Sequence, residues 1–425
     1  MKSLKEAGQI IAQGVQPVSM LNLGRILNLS RPISLKAICN ACNVDLTLVW
    51  IGDVHLENYM VKGVGQPTAW NPQTQWIVDN RATYNIQAVL CAGDIQSFVD
   101  TGETPTNNLG TQLALAWENN CGNGNGLKLI DDLGLPYLVT AGNHDYSSVT
   151  GVAGRDTSTF DTQLGNARIK SKKWYTGCWD NPNPIQGENT LATQAIHFQV
   201  ANRKFLVIAI ECFPRNLALK WAKEKSEQYS DHEVIIITHA FMDHTDGSLL
   251  TDPGTVSGTA CYNLDNNPGC NQTDQTCMND GICIWNWAQQ FRNLKAIMCG
   301  HSCDALNAIE DPGTHESGPT EAFNPLTATD GHMVLGIYSD HQSDYMPNTP
   351  NHKPVPIPNQ VEINPSYDQV VLLLELLSNK SNVVIRAFNT TTGQEITNSY
   401  YYQYNSKESN FQLVTSNVFP YVLPW

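Results

Sequence analysis

The chain has 425 residues, 41% hydrophobic and 15% charged, with a formal net charge of −15 at pH 7. That charge excludes a nucleic-acid backbone or an anionic membrane as a general partner, and no run approaches the ~18 uninterrupted apolar residues of a membrane span. An anionic substrate would have to meet positive charge from a source other than the side chains, and a metal would supply it.

Residues 1–45 read as a leader or attachment segment ahead of one large domain over 46–425. "RILNLSRPISLKAICNACNVD" has short apolar patches, a proline and the pair Cys39 and Cys42, without catalytic residue types. "MKSLKEAGQIIAQGVQPVSMLNLG" carries two lysines but lacks the compact apolar core and small-residue cleavage site of a secretion signal.

From Leu46 the pattern changes to five apolar runs: "LTLVWIGDVH" (46–55), "IQAVLCAGD" (86–94), "LPYLVTAGNH" (135–144), "EVIIITHA" (233–240) and "KAIMCGH" (295–301). Continuous Val, Ile and Leu bounded by Gly or polar residues predict buried strands. "TQWIVDNRATYN" and "NLALKWAKEKSEQY" have helical spacing, and strands alternating with helices predict a layered α/β fold. "AIHFQV" and "KFLVIAIE" (195–211, turned by "ANR") and "QVVLLLELL" and "NVVIRAFN" (369–389, joined by "SNKS") predict hairpins that extend the sheets. Residues 305–330 and 343–366, rich in Pro, Asn and Gly, read as long surface loops.

A polar insertion at 245–285 contains Cys261, Cys270, Cys277 and Cys283. Their spacing matches no tight zinc pattern, so disulfides that staple the insertion are favoured over a metal knuckle. Such bridges point to an oxidising destination. An extracellular, periplasmic or virion-associated location is accordingly favoured over the cytoplasm.

In open α/β sheets ligands gather beyond the carboxyl ends of the strands. The five runs place Asp53 and His55, Asp94, Asn143 and His144, His239, and His301 there. One histidine after a strand is usually a satisfied surface group, and one Gly-Asp is usually a turn. Five such endings together form a set that hard or borderline metal ions take. Asp53 and His55 are two residues apart, so an extended backbone projects both to one side. Asp94 has two oxygens with which to bridge two cations, Asn143 offers an amide oxygen, and His144 beside it then faces the substrate. His239 and His301 close a second shell. Two metals about 3.5–4 Å apart can clamp a phosphate and activate a water for in-line displacement.

In this order "GDVH", "GD", "GNHD", "THA" and "GH" resemble the blocks of the calcineurin-like metallophosphoesterases. "LPYLVTAGNHDY", "RKFLVIAIECFPRNLALKWA" and "VIIITHA" look like a bacterial branch of that superfamily, over about residues 46–310. The resemblance implies a four-layer α/β/β/α sandwich of two mixed sheets flanked by helices, with a dinuclear centre of iron, manganese or zinc. It implies that Asp53, His55 and Asp94 bind the first metal and that Asp94, Asn143, His239 and His301 bind the second. His144 would protonate the leaving group, oriented by a carboxylate.

Two departures stand out. The superfamily reads Gly-His-x-His in the last block, and here the second histidine is Cys303, which leaves the first site incomplete unless the thiolate joins it. Three readings of Cys303 stay open: no ligand, a ligand, or half of a disulfide, with the first favoured. An aspartate that commonly follows the bridging one is Ser97 here, and Asp145 is the nearest local substitute for orienting His144.

The expected function is hydrolysis of a phosphomonoester or phosphodiester by a metal-activated hydroxide. The alternative is a catalytically weakened fold serving as a binding or structural component, such as part of a phage tail or other virion appendage, assembled through the N-terminal segment. The missing ligand favours the alternative, and the retained His144 favours the enzyme. Trp70, Trp76, Trp174 and Trp179 are expected to serve in packing or loop anchoring rather than to line a pocket.

Overall fold

The five apolar runs form strands buried on both faces in the computed structural model. The structure describes residues 44–54, 71–95, 126–146, 152, 155–164, 166–179, 191–242, 248–250, 279–301, 321–339, 370–390, 392–396, 401–405, 410–414 and 421–425. Chain order begins β1 (Val44–Ile51), α1 (Asn71–Tyr84), β2 (Ile86–Cys91), α2 (Gly126–Asp132), β3 (Tyr137–Val139), α3 (Ser158–Gln163), α4 (Asn166–Lys170) and β4 (Tyr175–Cys178). It continues through β5 (Gln194–Val200), β6 (Arg203–Ala209), α5 (Asn216–Gln228), β7 (Glu233–Ile237), α6 (Gly281–Ala288), β8 (Leu294–Cys299), β9 (Glu321–Thr327) and β10 (Met333–Ser339). The last strands are β11 (Val370–Leu377), β12 (Asn382–Asn389), β13 (Gln394–Ile396), β14 (Tyr401–Asn405), β15 (Asn410–Val414) and β16 (Tyr421–Pro424).

Unbroken apolar runs are required because successive side chains enter different cores. Val49 and Ile51 of β1 join an outer core with Ile77 of α1 and Ile130 of α2. Leu48 and Trp50, on the opposite face, meet Phe205, Val207, Ile235 and Met298 of the other sheet. The outer face of that second sheet, with Leu206, Ile208, Ile236 and Ile297, packs on Leu219 of α5 and on Ile284 and Trp287 of α6. The result is the expected order of layers: helices, sheet, sheet, helices.

Both sheets are mixed. One runs β13-β12-β11-β1-β2-β3, with β16 beside β12, and the other runs β15-β14-β9-β10-β8-β7-β6-β5-β4. β1, β2 and β3 pair in parallel, as do β6, β7, β8 and β10. The two predicted hairpins are present, β5 with β6 and β11 with β12. Arg203 pairs with Val200, so the first turn is narrower than expected.

Two segments differ from the expectation. Part of the stretch taken as loop, 321–327, is strand β9, paired along its length with β10. Its Asn and Pro disguise it, and Pro325 is tolerated because β14 pairs only with Glu321 and Ala322. The end of the Cys-rich insertion is helix α6, started by Asp280, whose carboxylate accepts from Cys283 N at 2.9 Å. Cys283 is buried and disulfide-bonded. Cys261, Cys270 and Cys277, residues 1–43 with the N-terminal segment, the loop at 343–366 and Trp70 lie outside the described residues. Trp76 lies against Tyr84 and Phe388, Trp174 meets Tyr137 edge-on, and Trp179 lies under Arg215, so all three serve packing. No helix among the described residues is long and apolar enough to cross a membrane.

The chain end is fastened across both sheets. Arg203 Nε donates to Glu233 Oε1 at 2.7 Å and Trp425 Nε1 donates to Glu233 Oε2 at 2.8 Å, while β16 lies on β12. Burial pushes the Glu233 carboxyl up, and the Arg203 guanidinium and the Trp425 indole more than offset it, holding the group below the usual carboxylate range. A depressed folded pKa contributes stability that is present above the unfolded pKa and lost as pH falls through the folded one. Arg203→Met leaves a largely buried carboxylate without its ion-pair partner, though still accepting from Trp425 Nε1, and is expected to cost about 3–5 kcal/mol near neutral pH. The deficit should shrink as Glu233 protonates, and urea unfolding followed from about pH 7 to about pH 3 checks both statements.

Candidate metal centre

The carboxyl ends of strands from both sheets meet at one place. β1 leads to Asp53, β2 to Asp94, β3 to a short 3₁₀ turn at Asn143–Asp145, β7 to His239 and β8 to His301. Backbone bonds tie the exits together: Ala92 N to Ile51 O, Thr140 N to Cys91 O, Val54 N to Asp94 O and Gly300 N to His239 O. The glycines in these motifs are required by close approach. A Cβ on Gly142 would lie 2.1 Å from Asp94 Oδ1, and one on Gly300 would lie 2.0 Å from Asp53 Oδ1.

His239 is the centre of the arrangement. Its side chain is fully buried, with Nδ1 3.0 Å from the Ala92 carbonyl and 3.7 Å from Asp53 Oδ1. Donation from Nδ1 to Ala92 turns Nε2 towards Asn143 Oδ1 at 2.7 Å and Asp94 Oδ2 at 3.2 Å. A backbone carbonyl that fixes one ring nitrogen is the usual support for a histidine ligand. Burial would lower the His239 pKa, but the carboxylates of Asp94 and then Asp53 raise it to about 10. The site therefore attracts positive charge strongly, and a cation suits it as a proton does.

The other groups surround this imidazole. The rings of His239 and His301 lie 4.7 Å apart between centroids, and the backbone N of His301 donates to both Asp53 oxygens, at 3.2 and 3.0 Å. His144 donates its backbone N–H to Asp94 Oδ1 at 2.8 Å, and its ring Nε2 lies 3.8 Å from Asp94 Oδ2. Among the described residues Asp94, His239 and His301 offer ligand atoms that all lie within 4.8 Å of one another. Two imidazoles and a carboxylate, with the Asn143 amide oxygen against one of them, are a donor set that fits iron, manganese or zinc.

A sequence profile of the calcineurin-like phosphoesterase family matches residues 46–305. The chain belongs to that family. A 137-residue stretch is 30% identical to an uncharacterized protein, YvnB, of Bacillus subtilis (strain 168), and covers 32% of this chain but 9% of that one. Similar solved structures include the purple acid phosphatase of yellow lupin (Lupinus luteus) seeds, at 11% identity and a TM-score of 0.37, over 82% of this chain and 52% of that one. The anchor of the inner membrane complex of Plasmodium is similar at 10% identity and a TM-score of 0.37, over 88% of this chain and 89% of that one. A protein of Thermus thermophilus is similar at 8% identity and a TM-score of 0.34, over 81% of this chain and 99% of that one.

Of the residues singled out in the sequence, the structure brings Asp53, Asp94, Asn143, His144, Asp145, His239 and His301 to one place. His55, Ser97 and Cys303 lie outside the described residues. Asp145 is fully buried, and its carboxylate accepts from Ile95 N at 3.0 Å and from Gly142 N at 2.9 Å. It thus ties the turn carrying Asn143 and His144 to the loop carrying Asp94.

One feature beside the site was not legible. Glu211, at the end of β6, is buried and takes Arg215 Nε at 2.7 Å and Nη2 at 2.7 Å, with Arg155 Nη1 3.8 Å away. Its only signal in the sequence was a charged pair, Glu211 and Arg215, within the "ECFPR" that closes an apolar strand.

Asp145→Asn would set an amide NH₂ against one of the two backbone donors. The expected cost is about 1–3 kcal/mol, read as a lowered urea midpoint, and a midpoint equal to wild type would contradict the bracing role.

Proposed function

We propose that the chain hydrolyses phosphoesters at a metal centre held by Asp53, Asp94, Asn143, His239 and His301, with His55 completing a first site and Asp94 shared by two cations. The observation that carries this is the meeting of Asp94, His239 and His301 within 4.8 Å, at the joined carboxyl ends of strands from two sheets. Membership of the phosphoesterase family supports the same chemistry. When bound, such cations polarise phosphoryl oxygens and make water a competent nucleophile near neutral pH.

The remaining work falls to the chain's own groups. His144 keeps 26% of its side chain exposed, against 0% for His239 and 2% for Asp94. Partly exposed, as the proposed ligand His301 also is, it lies open to a substrate, and we assign it as the general acid that gives its ring proton to the departing oxygen. Asp94 accepts its backbone N–H, so the stretch of chain that carries the proton donor is tied to the proposed bridging carboxylate. Asp145 is a positioning residue that acts on His144 through the backbone of the turn. Cys303 is not required by this scheme.

Removing a positioned acid typically costs about 10²–10⁴-fold. His144→Ala should lose activity on that scale towards an alkyl phosphoester, whose leaving alkoxide needs a proton. The loss should fall towards none with a nitrophenyl ester, and bound metal, measured by elemental analysis, should be unchanged. Equal losses on both esters would remove the assignment. His239→Ala should lose metal as well as turnover. A fully metallated wild-type protein that turns over neither a phosphomonoester nor a phosphodiester would favour a binding role for the fold.

A further inference from the structure

The loop after β6 has an unusual conformation for its residues. Phe213 has φ of +46°, a left-handed backbone that a bulky side chain rarely adopts. Such strain persists where the surroundings over-determine it, and it gathers at functional sites.

Here the surroundings are specific. Arg155 donates Nη1 to Cys212 O at 2.8 Å and Nη2 to Phe213 O at 2.7 Å. Asn279 donates its side-chain amide to Pro214 O at 2.6 Å and to Asn216 Oδ1 at 2.9 Å. Glu211 receives the side chain of Arg215 and also its backbone N–H at 2.9 Å. Consecutive carbonyls from 212 to 214 are thus held by buried side chains. The Phe213 ring that this loop presents meets the His301 ring at 5.8 Å between centroids and 88° between planes. His301 is itself left-handed, at φ of +59°, so its ring leaves the backbone in a direction that a continuing strand would not give it.

We infer that Phe213, clamped by Arg155, is a positioning residue that sets the plane of the His301 imidazole for metal binding. The inference rests on the proposal that His301 is a ligand. An edge-to-face contact favours one orientation of the imidazole plane over the others. A residue that served core packing alone would affect stability and leave the affinity of the centre unchanged.

The test uses the full chain stripped of metal and titrated with zinc ion alone, by calorimetry or against a chelating dye. Phe213→Leu removes the ring, Phe213→Met is a second ringless variant in case the first fails to fold, and Phe213→Tyr restores the ring. Losing an outer support of a ligand typically weakens metal affinity about 10–100-fold. We expect a loss on that scale in the ringless variants and near wild-type affinity in Phe213→Tyr. His301→Ala is the reference. If it loses zinc while a folded ringless variant binds as tightly as wild type, the positioning role is overturned and the metal centre stands. If His301→Ala binds zinc like wild type, the assignment of His301 as a ligand fails, and the inference fails with it.

Discussion

A buried imidazole with a carboxylate facing each ring nitrogen is the interaction on which the rest of the site depends. Asp53 lies 3.7 Å from Nδ1 of His239, and Asp94 lies 3.2 Å from Nε2. All three side chains are almost wholly excluded from water, where isolated charges are costly. The protein stabilises the negative charge first with backbone donors, from His301 to Asp53 and from His144 to Asp94. These donors come from the loops that carry other proposed ligands, so folding the loops and solvating the acids are one event. What they leave over is an appetite for positive charge, satisfied by a proton on His239 or by a cation.

That arrangement places demands on the backbone well away from the acids. Asp53 follows a strand of one sheet and His301 a strand of the other, so their contact needs the two sheets in register across the inner core. Trp50 and Leu90 from one side and Val207, Ile237 and Met298 from the other provide that packing. Gly142 and Gly300 let the backbone approach the acids more closely than any side chain would allow. The motif glycines are therefore part of the charge arrangement rather than turn formers alone.

Much of this was legible because it is written in endings of strands. The polar residues after β1, β2, β3, β7 and β8 mark the edge where the layers meet, and the apolar runs before them mark strands covered on both faces. Less legible was anything that acts through backbone acceptors. Arg155 binds carbonyls 57 and 58 residues away, and since every residue carries a carbonyl, the partners leave no trace in residue type. Asp145 is similar. Its position beside His144 suggested an orienting carboxylate, and the backbone amides of Ile95 and Gly142 that donate to it could not be read from residue type. Strand β9 was hidden by Asn324 and Pro325, whose local preferences gave way to pairing with β10.

The distribution of strain separates what serves folding from what serves the site. Among the described residues, the non-glycine positions with positive φ are Asn85, Asp94, Arg155, Ala201, Phe213, His301 and Lys380. Asn85 joins α1 to β2, while Ala201 and Lys380 lie in hairpin turns, where a left-handed residue reverses the chain at small cost. The other four surround the proposed metal centre or brace it. A left-handed Asp94 or His301 directs its side chain back towards the neighbouring strand exits, which a residue continuing in extended conformation would not do. Each unfavourable φ costs about 1–3 kcal/mol, so the set persists only because the two sheets and the Arg155 clamp leave the loops no cheaper path. Rigidity of the sandwich and convergence of the proposed ligands are the same property, seen at two distances from the strand ends.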